Sequence, residues 1–132
     1  MPIARSSGMS HDFKKLDVFH LADQLVLDVY RAPSHFPSEE RYGLQQQLRR
    51  ASVSVPCNIV EGSTRSSNKD YAHFLRIACG SASEARYLVS LAARLGYLAP
   101  AISKDLEHRF DRVVRGLEVL AKRVAASRDN RD

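Results

Sequence analysis

Asn58, Glu61 and Glu84 are the side chains of this sequence that are best suited to chemistry. An amide and two carboxylates that met in one pocket could hold a small ligand or transfer protons. A buried polar side chain without a hydrogen-bond partner costs roughly 1–3 kcal/mol, so the same residues could instead form a hydrogen-bonded layer inside the protein. The two interpretations differ in how the surrounding helices position these residues.

A structural layer is the interpretation that the helical spacing favours. Asn58 and Gly62 fall on the apolar stripe of a predicted second helix, and Ser81 falls on the stripe of a predicted third helix. Hydrogen bonds between such polar groups would fix the register of the two helices, and a glycine would allow their backbones to approach closely. We therefore expect Asn58, Glu61 and Gly62 to be structural.

The expected pairing of these helices also gives Glu84 a partner. Antiparallel pairing about a loop near Arg65 places Glu84 level with about residue 46, within reach of Arg49 and Arg50. Buried charges are usually paired, so the sequence predicts a structural ion pair between Glu84 and one of these arginines.

Other arrangements that could support catalysis or metal binding do not emerge. No histidine is spaced from another histidine, a cysteine or a carboxylate as metal ligands on a shared buried face would be, and no Glu-x-x-His motif is present. The same helix pairing places Cys57 level with about residue 73 rather than with Cys79, so we expect no disulfide. The sequence predicts no enzyme, no metal site and no cofactor. The histidines are His11, His20, His35, His73 and His108.

Basic residues are in excess, and the formal net charge is +5. The first helical segment, residues 16–32, is the exception, with one arginine against three aspartates. Outward faces of the third and fourth helices collect cations, which either are simply solvated or contact phosphate groups. The candidates for nucleic-acid contact are Lys69, Arg76, Arg112, Arg115 and Lys122.

Four long apolar patterns of helical period position all these residues. The first helix is predicted at 14–32, ending before Pro33, and the second begins after Ser38 as N-cap. The third begins after Ser67 and stops at Gly96, and the fourth opens at Pro100. Short connections make neighbouring helices antiparallel, so the expected fold is an all-α, up-down four-helix bundle.

The chain ends are predicted to lie outside this bundle. Residues 1–12 are expected to form a disordered N-terminal arm, residues 13–127 the bundle, and residues 128–132 a frayed tail. Met9 is an alternative start. Neither a secretory signal nor an apolar stretch of the roughly 18 residues that a membrane span needs is present, so cytoplasm is the expected compartment.

Two further features suggest self-association. The first helix is apolar over a wider arc than a surface helix of a monomer requires, and the third helix is rich in small residues. Both features suit a second buried face, and a contact with another copy of the chain is the natural use for one.

Four sequence blocks resemble a known family. In order they are Phe36-Pro37-Ser38-Glu39-Glu40, Gln47-Leu48-Arg49-Arg50-Ala51, Asn58-Ile59-Val60-Glu61-Gly62 and Gly80-Ser81-Ala82-Ser83-Glu84. They look like the bacterial four-helix bundle proteins labelled after the ribosomal protein encoded in intervening sequences of large-subunit ribosomal RNA genes. Accessory proteins of diversity-generating retroelements look related as well. The resemblance covers about residues 12–100.

This resemblance carries its own expectations. It implies a four-helix bundle that assembles as a ring, typically a homopentamer, and it implies no enzyme. It also points to RNA, DNA or a nucleic-acid enzyme as a partner, because the retroelement relatives are basic. A scaffold or adaptor that binds itself is therefore our preferred interpretation, and a ligand-binding or enzymatic bundle around Asn58, Glu61 and Glu84 is the alternative. The motif residues to which the resemblance gives a structural role are Arg50, Asn58, Glu61, Gly62, Gly80, Ser81 and Glu84.

Overall fold

The computed structural model describes residues 11–128, and within them the only regular structure is helical. Short 3₁₀ turns at Phe13–Lys15 and Ser38–Glu40 precede the first two of four α-helices. The α-helices are α1 (Asp17–Arg31), α2 (Leu44–Ser63), α3 (Asn68–Arg94) and α4 (Pro100–Ala126). Each helix packs antiparallel against its neighbours in the order α1, α2, α3, α4, and α4 also packs against α1. The all-α, four-helix fold is the one that the sequence predicts.

Local sequence explains where α3 and α4 begin and end. The Ser67 hydroxyl accepts a hydrogen bond from the Asp70 amide at 3.1 Å, which satisfies one of the free amides of the first turn of α3. After α3, Gly96 adopts a φ of 82°, a conformation that residues with a side chain rarely take. Pro100 occupies the first turn of α4, where its missing amide proton leaves no bond unmade.

The start of α2 differs from the prediction. Ser38 begins a 3₁₀ turn instead of capping the helix, and α2 begins only at Leu44. The Glu40 carboxylate, predicted to sit in the first turn, caps α2 from outside by accepting a hydrogen bond from the Leu44 amide at 2.9 Å. At its other end α2 continues to Ser63 and so includes Gly62, which the predicted apolar stripe places on this helix.

The core is formed by the apolar stripes that the helical periods predict. All four helices contribute, and the central side chains are fully buried, so the bundle surrounds one continuous apolar interior. Pro56 lies inside α2 and is buried, as is Val55 beside it. The largest fully buried side chains are Tyr71, Phe110, Leu25, Ile59, Leu75 and Leu117. Among the described residues, none of the helices combines the length and apolar character that crossing a lipid bilayer requires.

Both ends of the described chain meet at the connection between α2 and α3. The His11 amide donates to the Ser63 carbonyl at 2.9 Å, and the His11 ring centroid lies 4.4 Å from that of Tyr71. The Asn68 side-chain amide reaches the carbonyl of Ser127, at 3.4 Å, from the other end. Residues 1–10 of the predicted arm and residues 129–132 of the predicted tail lie outside the described residues.

Candidate functional site

Asn58 and Ser81, two of the polar residues predicted to form a structural layer, belong to a chain of hydrogen bonds that joins α2 to α3. The Asn58 amide nitrogen donates to the Ser54 carbonyl at 2.8 Å and to the Ser54 hydroxyl at 3.0 Å. The Ser54 and Ser81 hydroxyls lie 2.8 Å apart across the two helices. These partly buried groups satisfy one another, so Asn58 has the environment of a structural residue.

Glu61 and Gly62 lie one turn further along α2 and point in different directions. Glu61 is exposed and forms an ion pair with Arg65, whose guanidinium lies 4.6 Å from the centroid of the Phe74 ring. Gly62 is buried, and a Cβ atom added to it would come within 2.8 Å of the Phe74 Cβ and 3.3 Å of the Tyr71 carbonyl oxygen. The glycine therefore allows the close approach of α2 and α3 that the sequence predicts at this position.

The predicted ion pair of Glu84 is not present among the described residues. Glu84 is exposed on the outer side of α3, and the Arg49 guanidinium instead stacks 4.7 Å from the ring centroid of Tyr30 on α1. The Ser54–Ser81 hydrogen bond sets a register in which Glu84 lies level with about Ala51 rather than with residue 46. Asn58, Glu61 and Glu84 thus do not converge on one pocket.

A groove between the outer sides of α3 and α4 does bring predicted site residues together. Arg76 of α3 and Lys122 of α4 line an open depression of about 350 Å³, together with the small residues Gly80 and Ser83. Neither cation has an ion-pair partner in the part of the chain that the structure describes. An added Cβ at Gly80 would meet no atom within 4 Å, so the chain's own packing does not require a glycine there.

Two neighbouring depressions extend this groove along the helices. One, of about 300 Å³, is lined by Ser83, Arg86, Tyr87, Ser90 and Glu107. The next, of about 310 Å³, is lined by Ala93, Arg94, Pro100, Ser103, Lys104 and Glu107. Ser83 lines both the first and the second depression, and Glu107 lines both the second and the third. We call this continuous surface the α3–α4 groove.

The remaining predicted cations lie apart from one another. Arg115 forms an ion pair with Asp111 at 3.0 Å, and the same carboxylate accepts a hydrogen bond from Arg86 at 3.0 Å, so part of the charge of Arg115 is already neutralised. Lys69, at the start of α3, and Arg112, on the exposed side of α4, have no ion-pair partner among residues 11–128. The groove therefore contains Arg76 and Lys122 from the predicted set.

Sequence reasoning missed three charged groups that shape these surfaces. Glu118 lines the same depression as Lys122, and its carboxylate reduces the positive charge there. Arg109 forms ion pairs with Asp28 and with Asp105, the latter at 3.0 Å. The four-residue spacing of Asp105 and Arg109 along one helix would have identified that pair, whereas the contact with Asp28 of α1 depends on the fold.

The two cysteines are free thiols in different environments. The Cys79 thiol faces the α3–α4 groove and donates to the Val114 carbonyl at 3.6 Å. Burial, together with the charge of Glu118, raises the pKa of this thiol, so it stays protonated and a poor nucleophile at neutral pH. Cys57 is exposed on α2. In the described ranges no cluster of three or more His, Cys, Asp or Glu side chains could hold a metal ion.

The predicted apolar excess of the first helix is visible on its outer side. Leu27 and Tyr30 of α1 keep 39% and 46% of their surface exposed. On the other side of the bundle, Tyr87 of α3 and Val119 of α4 are 57% and 56% exposed. Exposed apolar side chains therefore occur on several surfaces, and Tyr87 lies beside the cations of the α3–α4 groove.

Comparison with known proteins identifies relatives of the whole bundle. The sequence profile of the family described as 23S rRNA-intervening sequence protein matches residues 14–118. Among curated proteins, none matches this chain. A crystal structure of a protein of unknown function from the S23 ribosomal protein family of Bacteroides thetaiotaomicron VPI-5482 is similar, with a TM-score of 0.70 and 18% sequence identity. The alignment covers 80% of this chain and 95% of that chain, which shows a shared fold.

Proposed function

Because this chain belongs to the 23S rRNA-intervening sequence protein family, we propose that it is a non-enzymatic helical scaffold that associates with copies of itself and binds a nucleic-acid backbone. The family description alone does not provide the function, since the similar Bacteroides protein is itself one of unknown function. The proposal depends instead on the charge and shape of the surfaces described above.

The observation that supports nucleic-acid binding best is the pair of cations across the α3–α4 groove. Arg76 and Lys122 extend from different helices over one depression, and neither forms an ion pair within residues 11–128. Arg65, Arg86, Arg109 and Arg115 all have carboxylate partners. Unpaired cations on a concave surface can neutralise phosphates and release the counterions that surround them.

Self-association is supported by the outer side of α1. Leu27 and Tyr30 are large apolar side chains that remain partly in water in the isolated chain, and contact with a second copy would bury them. A head-to-tail contact that closes on itself makes a ring, and a pentamer is the ring that the family resemblance suggests. A ring would also repeat the α3–α4 groove, so that weak contacts add along one nucleic acid.

The alternative, a ligand-binding or catalytic pocket, receives less support from the geometry. Asn58 is engaged with Ser54, Glu61 is paired with Arg65, and Glu84, on the exposed side of α3, has no ion-pair partner within residues 11–128. Three groups that face different directions cannot act together on one substrate.

The decisive experiment compares two charge reversals of equal size. Labelled RNA and DNA are titrated with protein, and fluorescence anisotropy is measured at about 50 and 200 mM salt, a range over which phosphate contacts lose much of their affinity. Arg76→Glu with Lys122→Glu should abolish binding, because the depression between them loses both of its cations.

The matched control changes Arg41→Glu with Arg50→Glu, two exposed cations near the start of α2. This control alters the net charge equally and should retain most of the affinity. A wild-type protein that binds nothing at the lower salt concentration contradicts the proposal. An equal loss of affinity in both variants would instead indicate that the nucleic acid contacts the surface that carries Arg50.

A further inference from the structure

We infer that the α3–α4 groove takes single-stranded nucleic acid in preference to a duplex, and that one base stacks on Tyr87. This inference depends on the proposed nucleic-acid binding and names the substrate class for the same surface. It follows from the position of an exposed aromatic ring, the continuity of the groove and the open backbone at Gly80.

Tyr87 supplies the surface on which a base can stack. Its side chain is 57% exposed and lines the middle depression of the groove, next to the depression that contains Arg76 and Lys122. The Arg94 guanidinium, a planar cation, lies 5.8 Å from the centroid of the Tyr87 ring. A basic groove with an aromatic side chain is the combination by which proteins bind single strands without reading their sequence.

The depression with the phosphate-binding cations and the depression with this ring meet at Ser83, where the Arg86–Asp111 ion pair joins the two helices. Arg76 and Tyr87 are separated by eleven residues on one helix, which corresponds to roughly 16 Å along its axis. Ser83 lies between them and lines both depressions, so a strand can run past its hydroxyl. A distance of this size suits a short extended strand of a few nucleotides, with phosphates at one end and an unstacked base at the other.

Gly80 gives that strand access to the floor of the groove. A glycine in the middle of an exposed helix is less stabilising than an alanine, and a Cβ here would contact nothing in this chain. The missing side chain therefore leaves space that only a molecule outside the chain can use. A narrow concave strip between two packed helices suits one strand.

A duplex fits this surface poorly. Its bases are stacked inside the double helix, so Tyr87 could reach none of them, and its phosphates lie on a convex surface. Proteins that read a duplex usually insert a helix or a β-ribbon into its major groove. Here α3 and α4 are packed side by side in the bundle. Contacts with a duplex would be limited to the cations at the rim.

Substitution of Glu118 should change the affinity for single strands in the opposite direction. Its carboxylate lines the same depression as Arg76 and Lys122, and no ion pair in the described chain neutralises it. A phosphate in this depression is repelled by Glu118. Removal of the charge by Glu118→Gln should therefore strengthen single-strand binding, while charge removal at a site away from the groove should not.

The experiment measures anisotropy with a labelled mixed-sequence single strand and with a hairpin duplex of the same composition. The wild-type protein should bind the single strand at least about tenfold more tightly. Tyr87→Leu should weaken single-strand binding by about tenfold and leave duplex binding unchanged, whereas Tyr87→Phe should preserve both because the ring remains. The control is Tyr42→Leu, which removes a tyrosine that is 82% exposed away from the groove.

A second variant blocks the groove itself. Gly80→Leu places a side chain in open space, so the bundle should melt at the wild-type temperature or above while single-strand binding falls. Equal affinity for the two nucleic acids, or no effect of Tyr87→Leu, overturns the inference and leaves the proposed function intact. A wild-type protein that binds neither the single strand nor the duplex overturns both the inference and the proposed function. If Tyr87→Leu lowers the oligomer mass in light scattering and leaves binding unchanged, a second copy of the chain covers the groove, which also overturns the inference.

Discussion

Gly62 and Gly80 are glycines on neighbouring helices with opposite surroundings. At Gly62 a methyl group would collide with the Cβ of Phe74, which is tied to the α3 backbone and cannot swing away. At Gly80 a methyl group would project into open space. At both positions the helix lacks the stabilising effect of a side chain, but only at Gly62 does the packing of this chain require a glycine.

The same substitution at the two glycines should therefore have opposite effects. Gly62→Ala should lower the free energy of unfolding by about 1–3 kcal/mol, because α2 and α3 must move apart. Gly80→Ala should raise it by about 0.5–1 kcal/mol. Chemical denaturation at one fixed protein concentration measures both, and each variant serves as the control for the other. Destabilisation at Gly80 would mean that its open space is occupied by another copy of the chain.

At the scale of the helices, an ion pair between Arg109 and Asp28 connects α4 to α1, which is the shortest α-helix of the bundle. The hydrogen bond from Arg109 holds the pKa of the Asp28 carboxyl below its ordinary value of 3.8, against the opposing effect of partial burial. Asp105 shares the same guanidinium, so one arginine orders two carboxylates. This contact fixes α1 against α4 on the side away from the α3–α4 groove.

Asp28→Asn should reduce stability in a pH-dependent way. A lowered carboxyl pKa in the folded state stabilises the protein fully above the ordinary pKa, and this contribution is lost as the pH falls through the lowered value. The variant should therefore be less stable at pH 7 by up to about 1 kcal/mol. The difference should shrink as the pH falls below about 3.8 and vanish only below the lowered pKa of Asp28.

Thermal melts of both proteins between neutral pH and about pH 3 test this expectation. Glu84→Gln is the control, because Glu84 is exposed and lacks an ion-pair partner in the described chain, so its removal should change stability by less than about 0.5 kcal/mol. A difference at Asp28 that stays constant to the lowest pH would exclude the ion pair as its cause.

Local patterns predicted the helices, and tertiary contacts decided what the patterns left open. Apolar spacing identified all four helices, and Ser67, Gly96 and Pro100 marked ends because their caps depend on nearby backbone groups. The start of α2 was misplaced because Glu40 caps it from outside. The Glu84 ion pair was wrong because residues at the same level of two helices need not face each other. Glu84 lies on the exposed side of α3, and the Arg49 guanidinium stacks on Tyr30 of α1.

At the scale of the whole molecule, apolar and basic surfaces lie on different sides. The outer side of α1 carries Leu27 and Tyr30 in an acidic segment, whereas the α3–α4 groove collects unpaired cations. Of the candidate site, the sequence identified the cations Arg76 and Lys122 as residues on outward faces. It could not show that Arg76 and Lys122 share one depression, since that depends on how two helices pack.

The proposed division of surfaces gives a direct prediction for assembly. The wild-type protein should form an oligomer of its 14.8 kDa chain, a pentamer by family resemblance, and Leu27→Asp should dissociate it because a charge would be buried at the contact. Val119→Asp is the matched control, since Val119 is exposed on α4 and its substitution should leave the oligomer intact. Light scattering at micromolar concentration measures the mass. A wild-type monomer would exclude self-association.

The contacts of Asn68 with both ends of the described chain have a consequence for how the fold can be rewired. His11 lies 3.4 Å from its side-chain oxygen, and the carbonyls of Ser127 and Arg128 lie 3.4 and 3.5 Å from its nitrogen. A short peptide could therefore join the two ends, and a new opening between α3 and α4 would leave every helix beside the same neighbours. The bundle is suited to circular permutation, with new termini at the opposite end of the molecule, so a fused domain could be attached at either end of the bundle.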